Sequence, residues 1–337
     1  MRVLVTGSTG FLGSHIVDQL LARGDSVRAL ARPTSDTSYL AERGVEIVTG
    51  DLADLASLRP AVQDIEAVYH TAAKVSDWGP WSEFQSATIE GTRNVLKAAS
   101  EAGAPRFLHV STDGVYALST FGARVTEESP LEKRFGWLDY YRRAKLAAED
   151  EARRYAAAGP MAVTIVRPGL LLGERDAAVL PGTAAFLKSR AAMYLGRGRN
   201  RLPYVYAGDV AAACILAATS DTTAGRVYNV VSDEVVTQRD LFGTIAAATG
   251  LSAPRRALPV RLAYTMALLM EAWCVLRGRR SRPAMTRFGV HMLALNYVED
   301  ASKLRREAGW APAVPMAEAV RRSLEWHRER RARQVGG

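Results

Sequence analysis

Short apolar runs alternate with amphipathic stretches through the first half of the chain. Helical periodicity over Phe11–Arg23 and Ser82–Ala102 separates runs that are typical of buried strands. This βαβα alternation predicts an α/β fold with a doubly wound parallel Rossmann sheet, whose ligands bind at the carboxyl ends of the strands. The strand candidates are Val3–Thr6, Ser26–Ala31, Val45–Val48, Ala67–His70, Phe107–Val110 and Val163–Val166.

The regular alternation ends near residue 170. A helix over Asp209–Ala218 and a strand over Arg226–Val231 are expected to return to the sheet. The other helical patterns are 235–250, ending at Gly250, then the very apolar Leu262–Leu276, and the charged Ala317–Arg333. We therefore expect a dinucleotide-binding core of residues 1–170, joined by 205–232, and a smaller interleaved substrate lobe formed mainly by 171–204 and 233–337.

Composition narrows the class of protein. The chain has 337 residues, a net charge of +9 and only two cysteines, which argues against a disulfide framework. The five histidines lack metal-ligand spacing, and no apolar stretch reaches the length of a membrane span. The N-terminal residues lack the pattern of a signal peptide, so we expect a soluble, cytoplasmic protein that holds no metal.

The basic residues cluster in two places, Arg277–Arg287 and Arg321–Arg333. They are not interleaved with aromatic residues, so we expect no nucleic-acid partner. Ordinary solvated surface explains such clusters. In 262–287 an apolar helix is followed directly by arginines. For this segment the alternative to a solvated surface is peripheral contact with the inner face of a membrane.

A glycine-rich turn follows the first predicted strand and opens a helix. Gly7, Gly10 and Gly13 have the spacing GxxGxxG, which permits a tight turn, a close backbone approach to a pyrophosphate, and close packing of helix on strand. The helix N-terminus then faces the phosphates. The expected cofactor contacts here are Gly7, Thr9, Gly10, Phe11, Leu12 and Gly13.

Two later strand ends bear on the cofactor. Arg32 stands where an NAD-selective enzyme usually has an acidic residue, and its cation suits a 2′-phosphate. We therefore expect NADP(H) to be preferred, with NAD(H) possible. Asp51 could accept from the adenine amino group, with Leu52 against the ring, or Asp51 could cap the following helix.

The candidate acid–base pair is Tyr141 and Lys145, which share a helix face at i and i+4. We expect Lys145 to lower the pKa of the phenol and to bind the nicotinamide ribose, while Tyr141 exchanges a proton with the substrate oxygen. A hydroxyl after the strand Phe107–Val110, from Ser111 or Thr112, could complete the set. Simple turn chemistry is the alternative for both hydroxyls.

Together these motifs resemble the extended short-chain dehydrogenase/reductase family over essentially the whole chain. The resemblance implies that Thr112 is the catalytic hydroxyl, with Ser111 beside it at the cofactor. It also implies cofactor contacts from the strand-end segment Ala72-Ala73-Lys74 and from Pro168-Gly169. A homodimer formed through Ser82–Ala102 and Asp139–Ala158 is a further expectation from the resemblance alone.

Two segments are similar to the 3β-hydroxysteroid dehydrogenase branch, which includes 2-alkyl-3-oxoalkanoate reductases. One is residues 72–81, in which Trp78 and Trp81 could wall an apolar pocket or serve as packing anchors. The other runs from 283–287 through 300–303 to 309–312. The resemblance implies hydride transfer between a secondary alcohol and a ketone on a large apolar substrate, sterol-like or a 3-oxo long-chain lipid.

Some residues depart from the family pattern. Dehydratases of nucleotide sugars need an Asp-Glu pair where this chain has Asp113-Gly114, which argues against dehydration. Thr88 stands where asparagine is usual. A nucleotide-sugar epimerase remains the alternative activity, with Arg199 and Arg201 on the diphosphate, and a non-catalytic cofactor-binding sensor is a further one.

Overall fold

A computed structural model describes residues 1–279 and 281–335 of the chain. The strands are β1 (Arg2–Thr6), β2 (Ser26–Ala31), β3 (Glu46–Thr49), β4 (Ala67–His70), β5 (Arg106–Val110), β6 (Arg124–Val125), β7 (Ala162–Pro168), β8 (Leu170–Leu172), β9 (Tyr194–Leu195), β10 (Arg201–Leu202), β11 (Tyr204–Tyr206), β12 (Val227–Val230), β13 (Val236–Thr237), β14 (Ala257–Leu258) and β15 (Val298–Glu299).

The helices are α1 (Phe11–Ala22), α2 (Ser38–Ala41), α3 (Leu55–Leu58), α4 (Trp81–Phe84), α5 (Gly91–Glu101), α6 (Tyr140–Ala158), α7 (Val179–Lys188), α8 (Ala207–Thr219), α9 (Gln238–Thr249), α10 (Val260–Leu276), α11 (Arg287–Ala294), α12 (Ser302–Ala308) and α13 (Met316–Val335). Residues Gln85–Glu90 form a π-helix between α4 and α5. Single 3₁₀ turns occupy Pro60–Val62, Asp113–Val115, Leu118–Thr120 and Asp221–Thr223.

The central sheet has seven strands within the described residues, in the order β12-β7-β5-β4-β1-β2-β3. Every neighbouring pair is parallel. The strand order reverses between the neighbouring strands β1 and β4, because the chain builds one half of the sheet with β1, β2 and β3 and then passes to β4 to build the other. Ligands of such folds bind in the crevice at that point, at the carboxyl ends of the strands. The prediction of a doubly wound Rossmann sheet is confirmed.

Both faces of the sheet are covered, as a parallel sheet requires. Successive residues of β1 point to opposite faces, so Val3 and Val5 join the core beneath α1 and α8, whereas Leu4 joins the core beneath α5 and α6. The periodicity of the sequence encodes these two layers directly.

The remaining residues form a lobe beyond the carboxyl ends of the strands. α7, α9 and α13 share one apolar core, while α10 and α11 pack against each other over a smaller one. Short strand pairs tie distant segments together: β6–β15, β8–β11, β9–β14 and β10–β13.

Two details of the predicted elements were wrong. Residues 236–237 form a strand, and the helix begins only at Gln238, because Thr237 caps it through a reciprocal hydrogen bond with Asp240. The segment 82–102 is helical throughout but not a regular α-helix, since Gln85–Glu90 is π-helical. No helix in the described part of the chain is long and apolar enough to cross a membrane.

Candidate active site

The glycine-rich turn lies between β1 and α1. Gly7 has φ +71°, and a Cβ there would lie 2.6 Å from the Thr71 hydroxyl oxygen, so glycine is required. A Cβ on Gly13 would lie 2.1 Å from the Gly7 carbonyl oxygen, which shows how closely helix and turn pack. Gly10 precedes α1, and no side chain caps the helix there. Thr9 is exposed, and Phe11 and Leu12 are half-buried in the first turn.

This cradle fits a pyrophosphate. The N-terminal turn of α1 presents backbone N–H groups at the carboxyl edge of the sheet, with glycine where a ligand must come close. The wall opposite Gly7 is the segment after β4. There the Thr88 hydroxyl, in the π-helix, accepts the Lys74 backbone N–H at 2.9 Å. Thr88, which stands where the resemblance leads one to expect asparagine, thus fixes the backbone at Lys74.

The expected adenosine residues lie at the ends of β2 and β3. Arg32 is exposed directly after β2. Asp51 accepts the Ala53 N–H at 2.9 Å and does not cap α3, because Asp54 does so by accepting from Ala56. The capping alternative for Asp51 was therefore wrong. Leu52 is half-buried.

The three candidate catalytic residues come together where β5 and α6 meet. Thr112 follows β5, and Tyr141 and Lys145 lie one turn apart on α6. The Thr112 side chain lies beside the Tyr141 phenol, and its hydroxyl donates to the Asp113 carboxylate at 3.0 Å. The Lys145 ammonium donates to the Val110 carbonyl oxygen at 2.5 Å, so it is anchored to the end of β5.

Burial governs the protonation of this pair. Burial, followed by the nearby Asp113 carboxylate, raises the pKa of Tyr141 to about 12, although the neighbouring Thr112 side chain opposes the shift. Burial lowers the pKa of Lys145 to about 8, opposed by Glu149. Lys145 was expected to lower the pKa of the phenol, but burial outweighs any such effect. At neutral pH Tyr141 is therefore a neutral phenol, which suits a proton donor.

Two buried histidines lie near the lysine. His70 bonds Thr6 and Thr92 through its two ring nitrogens and stacks on His109, with ring centroids 5.7 Å apart. Burial and the Lys145 charge lower the pKa of both rings, that of His70 to about 3. Both imidazole rings are therefore uncharged at neutral pH, and they pack against each other near the ends of β4 and β5.

Glu149 continues the helix face of Tyr141 and Lys145 by one further turn. Its carboxylate is fully buried, forms two hydrogen bonds with Arg167 and accepts the Ser111 hydroxyl at 2.6 Å. The single hydroxyl proton of Ser111 is thus engaged by Glu149, so this hydroxyl could meet a cofactor only as an acceptor. The continued i, i+4 spacing could have indicated Glu149 from the sequence.

A second buried acidic pair adjoins the tyrosine. Asp113 follows Thr112, and Glu299 reaches it because β15 pairs with β6. Both Glu299 oxygens and one Asp113 oxygen are buried without a hydrogen-bond partner among the described residues, and the two carboxyl groups lie close enough for Asp113 to raise the pKa of Glu299. Two carboxyl groups in contact must share a proton. Burial raises the pKa of Asp113 to about 6 and raises that of Glu299 well above its usual range. No local sequence signal links these residues.

Pro168 ends β7, and Gly169 lies where the chain passes close to another segment. A Cβ on Gly169 would lie 2.0 Å from the Pro203 carbonyl oxygen. Arg167, in the same motif, is fully buried against Glu149. The structure accounts for Gly169 by packing, and the expected cofactor contact of Pro168-Gly169 stays a prediction.

The wall beyond Tyr141 comes from the C-terminal lobe. The Phe288 ring of α11 meets the Tyr141 ring edge-on, with centroids 5.5 Å apart. Asp77 binds Arg282 at 2.5 and 2.6 Å and the Thr286 hydroxyl at 2.6 Å. The two segments that resemble one enzyme branch are therefore bonded to each other at the site.

The two tryptophans of the first segment differ in role. The Trp81 ring packs on Tyr140 at 5.4 Å between centroids, and Arg143 covers it at 4.5 Å. These contacts favour the alternative in which Trp81 is a packing anchor. Trp78 is half-buried, and its backbone bonds the Ser76 hydroxyl. Nearby, an open cavity of about 510 Å³ is lined by Phe135, Trp137, Leu138, Tyr140 and Arg143.

A Rossmann sheet, a glycine cradle at α1 and a Thr–Tyr–Lys set on β5 and α6 define an extended short-chain dehydrogenase/reductase. The model of the NAD dependent epimerase/dehydratase family matches residues 3–230, and the chain belongs to that family. It is thus an NAD(P)-dependent enzyme of the dehydrogenase/reductase type.

Relatives with both reductase and sugar-nucleotide names are similar to it. A 2-alkyl-3-oxoalkanoate reductase from Stenotrophomonas maltophilia is 31% identical, covering 96% of this chain and 98% of that one. Sterol demethylase protein B from Methylococcus capsulatus is 34% identical, covering 98% and 99%. A crystal structure of a dTDP-glucose 4,6-dehydratase double mutant from Streptomyces venezuelae, with NAD and DAU bound, is 27% identical with a TM-score of 0.77, covering 98% of each chain.

Proposed function

We propose that the protein interconverts a secondary alcohol and a ketone on a large apolar substrate, either sterol-like or a 3-oxo long-chain lipid. The observation that supports this proposal most directly is the environment of Tyr141, which is a neutral phenol between the Thr112 hydroxyl and the Phe288 ring. An acid group with an apolar wall suits a carbonyl on a hydrocarbon body better than a charged sugar nucleotide.

In the proposed reaction Tyr141 donates its proton to the substrate oxygen while Thr112 holds that oxygen. Bound nicotinamide would supply the hydride to the carbonyl carbon. Lys145, whose ammonium donates to the Val110 carbonyl, is proposed to bind the nicotinamide ribose and to return a proton to the phenol. Because Tyr141 is neutral at physiological pH, it carries the proton that reduction of a ketone requires.

The cradle residues are proposed to bind the cofactor as the sequence predicts, with Ala72, Ala73, Lys74, Pro168 and Gly169 as further contacts. We propose NADP(H) as the preferred cofactor, because Arg32 is an exposed cation at the end of β2. Arg32→Ala is expected to lower the ratio of kcat/KM for NADPH over NADH about tenfold, the effect of losing one charge-assisted contact. An unchanged ratio would show that Arg32 does not select between the two cofactors.

The proposal extends to assembly and place in the cell. We propose a cytoplasmic homodimer formed through 82–102 and 139–158, in contact with the inner face of a membrane through 262–287. Sedimentation velocity at several concentrations tests the homodimer. A monomer at every concentration would remove that part of the proposal.

The activity is tested by following nicotinamide absorbance with three substrates, each with NADPH or NADP⁺ and with NADH or NAD⁺. They are a 2-alkyl-3-oxo fatty acid, a 3β-hydroxysteroid and a UDP-hexose. Tyr141→Phe is expected to lower kcat for a lipid by about 10²–10⁴-fold, because the proton donor is lost. Tyr155→Phe, the same change further along α6, is the matched control and keeps activity.

Epimer formation from the UDP-hexose without net cofactor change would replace the proposal with the epimerase alternative. The exposed Arg199 and Arg201 would then be assigned to the diphosphate. Cofactor binding without turnover of any of the three substrates would favour the alternative of a non-catalytic cofactor-binding sensor.

A further inference from the structure

Helix α10 has two contrasting faces. Ala263, Ala267, Glu271 and Cys274 recur every three to four residues and are buried against the lobe. The opposite face is partly to largely exposed among the described residues, although it carries large apolar side chains. Leu262, Met266, Leu269, Trp273 and Leu276 follow one another at the same helical spacing, with exposed fractions of 49%, 39%, 64%, 44% and 86%.

These side chains form a continuous apolar stripe along the helix, which we call the α10 face. It extends over about four turns, or roughly 20 Å of helix axis. Single exposed apolar residues are ordinary on protein surfaces, but a contiguous patch marks an interaction site. We therefore expect the α10 face to be an interaction surface that a partner covers.

The charged residues that flank this face at the two ends of α10 are positive. Arg261 stands at its start, and Arg277 and Arg279 stand at its end, where both guanidinium groups lie over the Trp273 ring, 5.7 and 4.2 Å from its centroid. The single acidic residue of α10, Glu271, points inward and is paired with Arg287. The face thus combines apolar side chains with uncompensated cations.

This charge pattern distinguishes between two partners. In a pair of identical α10 faces, arginines would oppose arginines in either orientation, and α10 carries no exposed carboxylate that could compensate them. An anionic bilayer provides both an apolar interior and negative headgroups. Tryptophan and arginine at the boundary are typical of helices that lie in that interface.

The α10 face is also coupled to the site. The Glu271 carboxylate accepts the backbone N–H of Arg287 at 2.8 Å, which fixes the start of α11. The next residue, Phe288, packs on the Tyr141 ring. The helix that would rest on a bilayer is therefore one packed neighbour away from the proposed proton donor.

We propose that α10 docks the protein on an anionic bilayer surface, lying in the plane of the interface with its arginines at the headgroups. The α10 face enters the headgroup–acyl boundary, and the substrate passes from the bilayer along α11 to Tyr141. The docking stands on α10 alone, whereas the delivery of substrate rests on the proposed function.

The test is co-sedimentation of the full chain with vesicles, without substrate or cofactor. Wild-type protein is expected to bind vesicles of phosphatidylcholine and phosphatidylglycerol in equal parts, more weakly at high salt, and not vesicles of phosphatidylcholine alone. Leu269→Ser with Leu276→Ser is expected to lower the partition coefficient about tenfold or more, because two inserted side chains are lost. Leu216→Ser, an exposed leucine on α8, is the matched control and should bind as wild type does.

Binding that is equal for both vesicle types, or unaffected by the double substitution, would overturn the proposal. A dimer that dissociates in the double variant, without vesicle binding by wild type, would reassign the α10 face to a second copy. Tyr141→Phe should bind vesicles normally, so failure of docking and failure of the proposed catalysis are separate results.

Discussion

The residues around Tyr141 show how burial controls protonation at this site. Tyr141, Lys145 and Asp113 all have pKa values displaced toward the neutral form, and desolvation is the largest cause for each. Glu149 is the exception, because Arg167 and Ser111 stabilise its charge and hold its pKa below the usual range. Two acids on neighbouring elements thus have opposite states because their hydrogen-bond partners differ.

The Asp113–Glu299 pair leads to a prediction about stability. Both pKa values are raised in the folded chain, so folding binds protons that the unfolded chain releases. The contribution to unfolding free energy is therefore present at low pH and lost as pH rises through the folded pKa, about 6 for Asp113.

Glu299→Gln removes the Glu299 titration and supplies a donor for Asp113. Its melting temperature relative to wild type should rise between about pH 5 and pH 8, by the equivalent of roughly 1–3 kcal/mol. Thermal denaturation at several pH values measures this difference, with the exposed Glu325→Gln as control. A difference that is constant with pH would show that the pair holds no shared proton.

Among the elements, the junction of β1 and α1 has the tightest geometry. The 2.1 Å separation between an added Cβ on Gly13 and the Gly7 carbonyl leaves no space for a side chain. The contact is with backbone, so a rotamer change cannot relieve it.

Gly13→Ala is expected to displace the start of α1 from β1, lowering the melting temperature and abolishing cofactor binding. Cofactor fluorescence titration and thermal denaturation measure the two effects. Gly243→Ala in α9 is the matched control, because its added Cβ meets nothing within 4 Å. That variant should be as stable as wild type or more stable by about 1 kcal/mol. Equal cofactor affinity in both variants would contradict the role of Gly13.

At the scale of the whole molecule, the candidate active site lies where the Rossmann sheet meets the C-terminal lobe. Tyr141 and Thr112 belong to the core, whereas Phe288 and Glu299 come from the lobe. The link from Asp77 to Arg282 and Thr286 joins the two bodies beside the site.

Asp77→Asn is expected to weaken that link and raise KM for the ketone several-fold, because α11 loses an anchor of its N-terminal end. The cofactor Kd should be unchanged, since the glycine cradle lies wholly in the core. Steady-state kinetics and cofactor titration separate these readouts. Asp221→Asn, which affects an exposed pair with Arg106, is the control. A change in cofactor Kd equal to the change in KM would mean that Asp77 stabilises the fold rather than the substrate wall.

The sequence by itself determined the sheet, the glycine turn and the spacing of Tyr141 and Lys145. These depend on periodicity and local spacing, which a chain carries without reference to distant residues. The partners of Asp113, Glu149 and Tyr141 were decided only by the tertiary structure. Glu299, Arg167 and Phe288 arrive through β15, β7 and α11, and neither local propensity nor spacing encodes which side chains meet when distant segments pack. The direction of the Tyr141 pKa was missed for the same reason, because desolvation depends on everything packed around the phenol.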